Sequence, residues 1–209
     1  MFLKIHIILL LFVSFVFADS ASEIIEKIQE KYEELKNLSA EFVQTEQFRL
    51  TGAKNETVGR IFIKNGVQYR LETEDQIIVT DGKSVWNYSV FNNQVLIDRV
   101  KEGDGSLLPR DLIYKYPREY YATLLKKENI DGEDYYLIKL DPKEDVHGFI
   151  RTMKILVNTE SYIISKIEYT DFNENVSSFE IKKVDGETSL PESLFKYEIK
   201  EGTEVVDLR

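Results

Sequence analysis

The 209-residue sequence contains no cysteine. Disulfides therefore cannot cross-link the fold, and thiol catalysis and zinc–thiolate sites are excluded. Histidine is nearly as scarce, with two residues in the whole chain. His6 lies in an apolar N-terminal run and His147 in the loop-like stretch DVHGFI, so no site built on several imidazoles can form. A Ser-His-Asp triad would have to use His147, and no G-x-S-x-G elbow accompanies it. Gly-rich phosphate loops are missing, and DGEDYYLIKLD lacks the ligand spacing of an EF-hand. Carboxylate pairs such as Glu74/Asp75 and Glu144/Asp145 have the composition of a glycosidase site. They sit in turn-like segments, however, where acids serve solvation and turn formation. An excess of basic residues is lacking too: 27 Lys and Arg face 37 Asp and Glu, a net charge of −10. That balance argues against nucleic acid or an anionic membrane surface as a partner.

After residue 18 there is no long hydrophobic run. The first eighteen residues, MFLKIHIILLLFVSFVFA, combine Lys4, an apolar stretch from Ile5 to Phe17, and small residues in Val16-Phe17-Ala18 at cleavage spacing. The stretch is shorter than the ~20 residues of a spanning helix. The expectation is a signal peptide over residues 1–18 and a single exported domain over 19–209. Asp19 follows the leader, so no cysteine is there to take a lipid anchor.

What is present is a β-rich pattern with one helix before it. Ser20 with Glu23 has capping-box spacing, and Ile24, Ile25, Ile28, Tyr32 and Leu35 recur at helical intervals against a Glu/Lys face. From Ser39 onward the period becomes two. Apolar runs at about 40–50, 57–64, 67–73, 76–80, 84–90, 94–100, 134–141, 150–157, 162–171, 175–183 and 193–199 predict an antiparallel meander of about eleven strands. Asn65-Gly66, Asp81-Gly82, Asn92-Asn93 and Asp131-Gly132 supply its turns. Residues 106–125, interrupted by Pro109 and Pro117, predict two short helices inserted in the sheet. Such a sheet curls, and the helices cover its concave face.

A two-residue turn at Asp81-Gly82 sets Ile77, Val79, Trp86, Tyr88 and Val90 on one face. Val67, Tyr69 and Leu71 alternate in the same way on the neighbouring strand. Strand 57–64 is divided, with Phe62 on one face and Ile61 and Ile63 on the other. The expected inner wall comprises Phe42, Ile61, Ile63, Tyr69, Leu71, Ile77, Val79, Trp86 and Tyr88. Leu107, Leu108, Leu112 and Ile113 form the expected lid. Each of these side chains equally suits an ordinary packed core.

Several segments, in order, resemble the LolA-type outer-membrane lipoprotein carriers. They are the leader, the amphipathic first helix, LSAEFVQTEQ (38–47), GRIFIK (59–64), VQYRLE (67–72), IIVTDGKSVWNYSVFNNQV (77–95) and LFKYEIKEGTEVVD (194–207). The resemblance implies an unclosed, half-open antiparallel β-barrel with an N-terminal helix and short lid helices over a hydrophobic cavity. It also implies a periplasmic, monomeric, non-enzymatic carrier that needs no cofactor. Its partners would be acylated lipoproteins, the inner-membrane lipoprotein-releasing ABC transporter and an outer-membrane acceptor where one exists. Nucleic acid and stable membrane insertion are not implied. The pattern lapses at three places. Asn65-Gly66 stands where many members have an Arg-Pro whose arginine latches the lid, Leu71 replaces a tryptophan, and the usual proline before Gly202 is missing. Three other readings fit the bulk features: a lipoprotein-sensing half-barrel of RseB type, a secreted hydrolase and a plain structural or cell-surface β-domain.

Overall fold

The computed structural model describes residues 20–100, 119–144 and 149–209. Helix α1 spans Ala21–Glu34. It is followed by β1 (Asn37–Gln47), β2 (Lys54–Lys64), β3 (Gln68–Thr73), β4 (Gln76–Thr80), β5 (Ser84–Ser89) and β6 (Gln94–Arg99). The second run comprises β7 (Tyr120–Ile130), β8 (Glu133–Pro142), β9 (Ile150–Asn158), β10 (Ile164–Asp171), β11 (Val176–Asp185) and β12 (Glu204–Asp207). All twelve strands form one sheet in the order β12-β6-β5-β4-β3-β2-β1-β11-β10-β9-β8-β7. Two antiparallel meanders, β1–β6 and β7–β11, are joined side by side through the β1–β11 pairing. The sheet does not close, and β7 and β12 are its edges.

Local chemistry explains most boundaries. Helix α1 begins with the expected capping box: Glu23 N–H donates to Ser20 Oγ, and Ser20 N–H donates to the Glu23 carboxylate. The turns at Asn65-Gly66 and Asp131-Gly132 have positive φ at both positions, as a type I′ hairpin requires. This accounts for the missing Arg-Pro after Lys64, since proline cannot take positive φ.

Three expectations are corrected. Residues 120–125, read as the end of a helical insert, open strand β7; Tyr120, Ala122 and Leu124 alternate inward across from Pro142, Leu140 and Ile138. The rest of that insert lies outside the described residues. The stretch 193–199 is not a strand: it holds a 3₁₀ helix, Glu192–Phe195, followed by irregular chain. Finally, β12 pairs in parallel with β6, which the meander reading did not contain.

The two halves of the sheet are covered on different faces. On the inner face of β7–β11 a continuous apolar row runs Phe179, Ile167, Ile155, Ile138, Leu124 across five strands. Helix α1 lies on this half, burying Ile24, Ile25 and Ile28 with Met153, Leu140 and Ile164 in one core. Burial of each isoleucine stabilises by roughly 1.5–3 kcal/mol.

On the outer face of β2–β6 a second core forms beneath the chain that runs from β11 to β12. Lys64 Nζ donates to the Leu190 carbonyl (2.8 Å) and Arg70 Nη1 to the Leu194 carbonyl (3.3 Å). Lys64 also pairs with Glu192 at 2.7 Å. Asn93 Nδ2 donates to the Gly202 carbonyl at 2.9 Å. These anchors hold the segment against the sheet, and Phe195, Val79, Val95 and Ile97 are buried there.

Tyr197 stacks obliquely on Tyr88, with ring centroids 5.5 Å apart. Its hydroxyl is buried with no hydrogen-bond partner among the described residues. An unmade buried hydrogen bond costs about 1–3 kcal/mol. We therefore predict that Tyr197→Phe is neutral or stabilising by up to ~1 kcal/mol, read as an unchanged or raised urea midpoint with the m-value constant. A marked loss of stability would show that the hydroxyl has a partner.

Candidate functional site

Helix α1 stops short of the β1–β3 side of the inner face, and a cavity remains where it ends. The void measures about 100 Å³. Tyr32 from α1 closes one end. Leu38, Ala40 and Phe42 of β1, Ile61 and Ile63 of β2, and Leu71 of β3 form one wall. The opposite wall is Ile163, Ile164, Ile167, Phe179, Ile181 and Val184. Among the described residues no charged side chain is in this lining. Register explains the convergence: Leu38 lies across from Ile63, Ala40 from Ile61, and Ile61 from Leu71, so all point the same way.

Small residues make the room. Ala40 contributes a single methyl, and Gly59 sits directly across from Phe42. A Cβ on Gly59 would meet the Phe42 ring at 2.3 Å and the Glu72 carbonyl oxygen at 2.7 Å. The ring therefore lies over the bare backbone of β2 and tilts toward Phe179, 6.0 Å away.

The polar atom of the lining is the Tyr32 hydroxyl, and it accepts a hydrogen bond from the Ile164 N–H at 3.3 Å. Part of the ring is exposed, yet the hydroxyl is enclosed, and burial pushes its pKa up to about 12 against the weaker pull of that hydrogen bond. At neutral pH it is an uncharged phenol. A surface of this kind offers contact area and no directional recognition.

Of the residues expected to line the cavity, Phe42, Ile61, Ile63 and Leu71 do so. Tyr69 shares their face, across from Ile63, and is buried. Ile77, Val79, Trp86 and Tyr88 do share one face, as their spacing predicts, but it is the outer one. Val79 lies across from Arg70 and Ile77 from Glu72, whereas Leu71 is across from Ile78. Trp86 lies between Val79 and Ile97 in the core beneath the C-terminal segment. The expected register also shifts by two: Thr80 faces Val85 and Val79 faces Trp86. The Asp81 carboxylate accepts from the N–H groups of both Lys83 and Ser84, which widens the turn to four residues. Leu107, Leu108, Leu112, Ile113 and His147 lie outside the described residues.

The sequence reading missed the far wall, Ile163 to Val184. Its strands were recognised, but no short-range signal shows that β11 folds back beside β1. Among the described residues no cluster of three or more His, Asp or Glu is arranged to hold a metal ion. No described helix is long and apolar enough to cross a membrane.

The sequence matches a family of carriers. Residues 33–198 match the family described as "Outer membrane lipoprotein carrier protein LolA", and the chain belongs to that family. The outer-membrane lipoprotein carrier protein of Haemophilus influenzae is 27% identical over 199 residues, covering 92% of this chain and 89% of that protein. Protein MJ0687 of Methanocaldococcus jannaschii, of uncharacterised role, is 26% identical over 190 residues. The match covers 90% of this chain but 54% of that protein, so the chain spans about half the length of this relative. Among solved structures, an uncharacterised conserved protein from Thermus thermophilus has the same fold. Its TM-score is 0.62 at 16% identity, over 90% of this chain and 98% of that one.

Two predictions follow from the geometry. Gly59→Ala drives a methyl group into Phe42 and a carbonyl, and overpacking of this kind costs about 1–3 kcal/mol, measurable by urea unfolding. An unchanged midpoint would mean that the Phe42 ring moves aside freely. The second concerns alkaline pH. The Tyr32 hydroxyl titrates near 10 when unfolded and about 12 when folded. A pKa raised by folding gives stability that is complete below pH 10 and is lost as pH rises toward 12. Stability should fall across that window, and less steeply in Tyr32→Phe. Tyr120, also raised to about 12, keeps part of the slope in the variant. Equal slopes would place the Tyr32 hydroxyl in water.

Proposed function

We propose that the protein is a periplasmic carrier of lipoproteins that holds their acyl chains at the cavity between α1 and the β1–β11 seam. The observation that carries this reading is the cavity's lining, apolar throughout with its one hydroxyl satisfied, in a chain of the LolA family. Relatives bearing the name outer-membrane lipoprotein carrier protein match over most of their length. In this reading residues 1–18 direct export, an inner-membrane ABC transporter loads the carrier, and an outer-membrane acceptor, where present, unloads it. The reaction is transfer without covalent chemistry.

The energetics suit such a task. Each CH₂ removed from water is worth ~0.8 kcal/mol, so a ~16-carbon chain requires roughly a dozen kcal/mol of apolar contact to stay in solution. Contacts without hydrogen bonds supply this while tolerating varied chains. A dry cavity of ~150 Å³ accommodates one benzene. The 100 Å³ void is therefore a starting point, and it must widen as a chain enters. The end of α1 is the wall not tied into the sheet ladder, and Tyr32 joins it to β10 through one hydrogen bond.

Titration with a lipopeptide whose acyl chain carries an environment-sensitive fluorophore tests the proposal, with the deacylated peptide as control. The acylated form should bind saturably. Leu71→Gln, which puts an amide in the apolar wall, should weaken binding about tenfold at an unchanged unfolding midpoint. Trp86→Phe, on the opposite face, should leave affinity unchanged, and Trp86 emission should not follow the titration. Absence of saturable binding, or sensitivity to position 86 in place of 71, would sink this assignment.

A further inference from the structure

The cavity opens into a much larger groove of about 1020 Å³, and Leu38, Ile163, Ile164, Ile181 and Val184 line both. The groove lies at the end of the sheet where α1 finishes and where the β7–β8 and β9–β10 turns meet the end of β11. Its character changes along its length: the shared floor is apolar and the outer rim is charged. We infer that this groove holds the peptide segment following the acylated residue of the cargo, and that it favours basic over acidic sequence there. The inference rests on the carrier reading above.

The first argument is continuity. An acyl chain in the cavity is covalently joined to a polar group, and the described lining offers that group no side-chain hydrogen-bond partner beyond Tyr32. Polar atoms buried without partners are strongly disfavoured, so the head of the lipid stays at the mouth. A peptide attached to that head must then run along the groove. The volume suits a chain of several residues rather than a small headgroup alone.

The second argument is charge. The rim carries Glu133, Asp134, Glu160 and Glu187 against Lys31 and Lys183. Lys183 is drawn to Glu41, 2.8 Å away and outside the groove, and Asp134 is answered by Lys127 at 2.8 Å. Among the described residues the donors to Glu133 are neutral, the Tyr135 hydroxyl and the Asn158 amide. Glu133, Glu160 and Glu187 therefore outweigh Lys31. The surface attracts lysine or arginine in a passing chain and repels aspartate or glutamate.

The test compares two lipopeptides with the same labelled acyl group, one with four lysines and one with four glutamates after the acylated residue. At low salt the lysine form should bind the full mature chain about fivefold more tightly, and the gap should shrink at high salt. In the double variant Glu160→Gln/Glu187→Gln the gap should narrow toward equality, with the affinity of an uncharged lipopeptide unchanged. Equal binding of the two peptides to the wild type, with acyl-dependent affinity intact, overturns the groove assignment and leaves the carrier reading standing. A gap that persists undiminished in the double variant also overturns it. Failure of both lipopeptides to bind removes the carrier reading and this inference with it.

Discussion

Everything in this molecule hangs on strand β1. It pairs with β2 over its whole length and with β11 on its other edge, so it carries the hydrogen-bond ladders of both meanders. Its alternation decides what faces inward at the seam: Leu38, Ala40 and Phe42, two bulky side chains around a small one. Between Ser39 and Glu41, two residue steps of β1 answer three of β11, from Lys182 to Asp185, which marks a bulge on β11 at the seam, and bulges increase local bend and twist. The seam therefore lies where the sheet curls. Helix α1 fills the concavity on the β7–β11 side only, and the remaining void lies over the seam.

The outer face solves a different problem. A meander such as β2–β6, with apolar side chains on both faces, cannot leave either bare. The chain between β11 and β12 crosses behind it, fastened by Lys64, Arg70 and Asn93, and buries Leu190 and Phe195 there. It ends as β12, whose four residues cover the edge of β6. At the opposite edge, β7 carries Lys126 and Lys127 and a bulge after Leu124, features that discourage edge-to-edge association.

This two-sided arrangement explains what could and could not be read from the sequence. Capping, turn positions and the period-two pattern gave α1 and most strands, because those signals are local. The parity of Ile77, Val79, Trp86 and Tyr88 was legible as well, since alternate residues must share a face. Which face was inner was not legible. Assigning every bulky row to one interior assumes a single core, and here the row with the only tryptophan belongs to the core behind the sheet. Half the cavity wall was missed for a related reason. Ile164, Ile167, Phe179 and Ile181 reach Phe42 only through the β1–β11 pairing, which joins residues far apart in sequence. Strand β12 is short and pairs in parallel with β6, so no hairpin turn announced it.

The unpaired edges have a mechanical consequence. In a closed barrel the strand number and stagger together set the radius, and widening it means breaking a ladder. Among the described residues nothing ties β7 to β12, so the circumference is not a conserved quantity. The two meanders can splay by a change of twist along the seam, with every interstrand hydrogen bond kept. If the cavity takes up acyl chains as proposed, its bore follows whatever lies within it, as a sleeve takes the girth of the arm, and the same walls serve thin and thick contents.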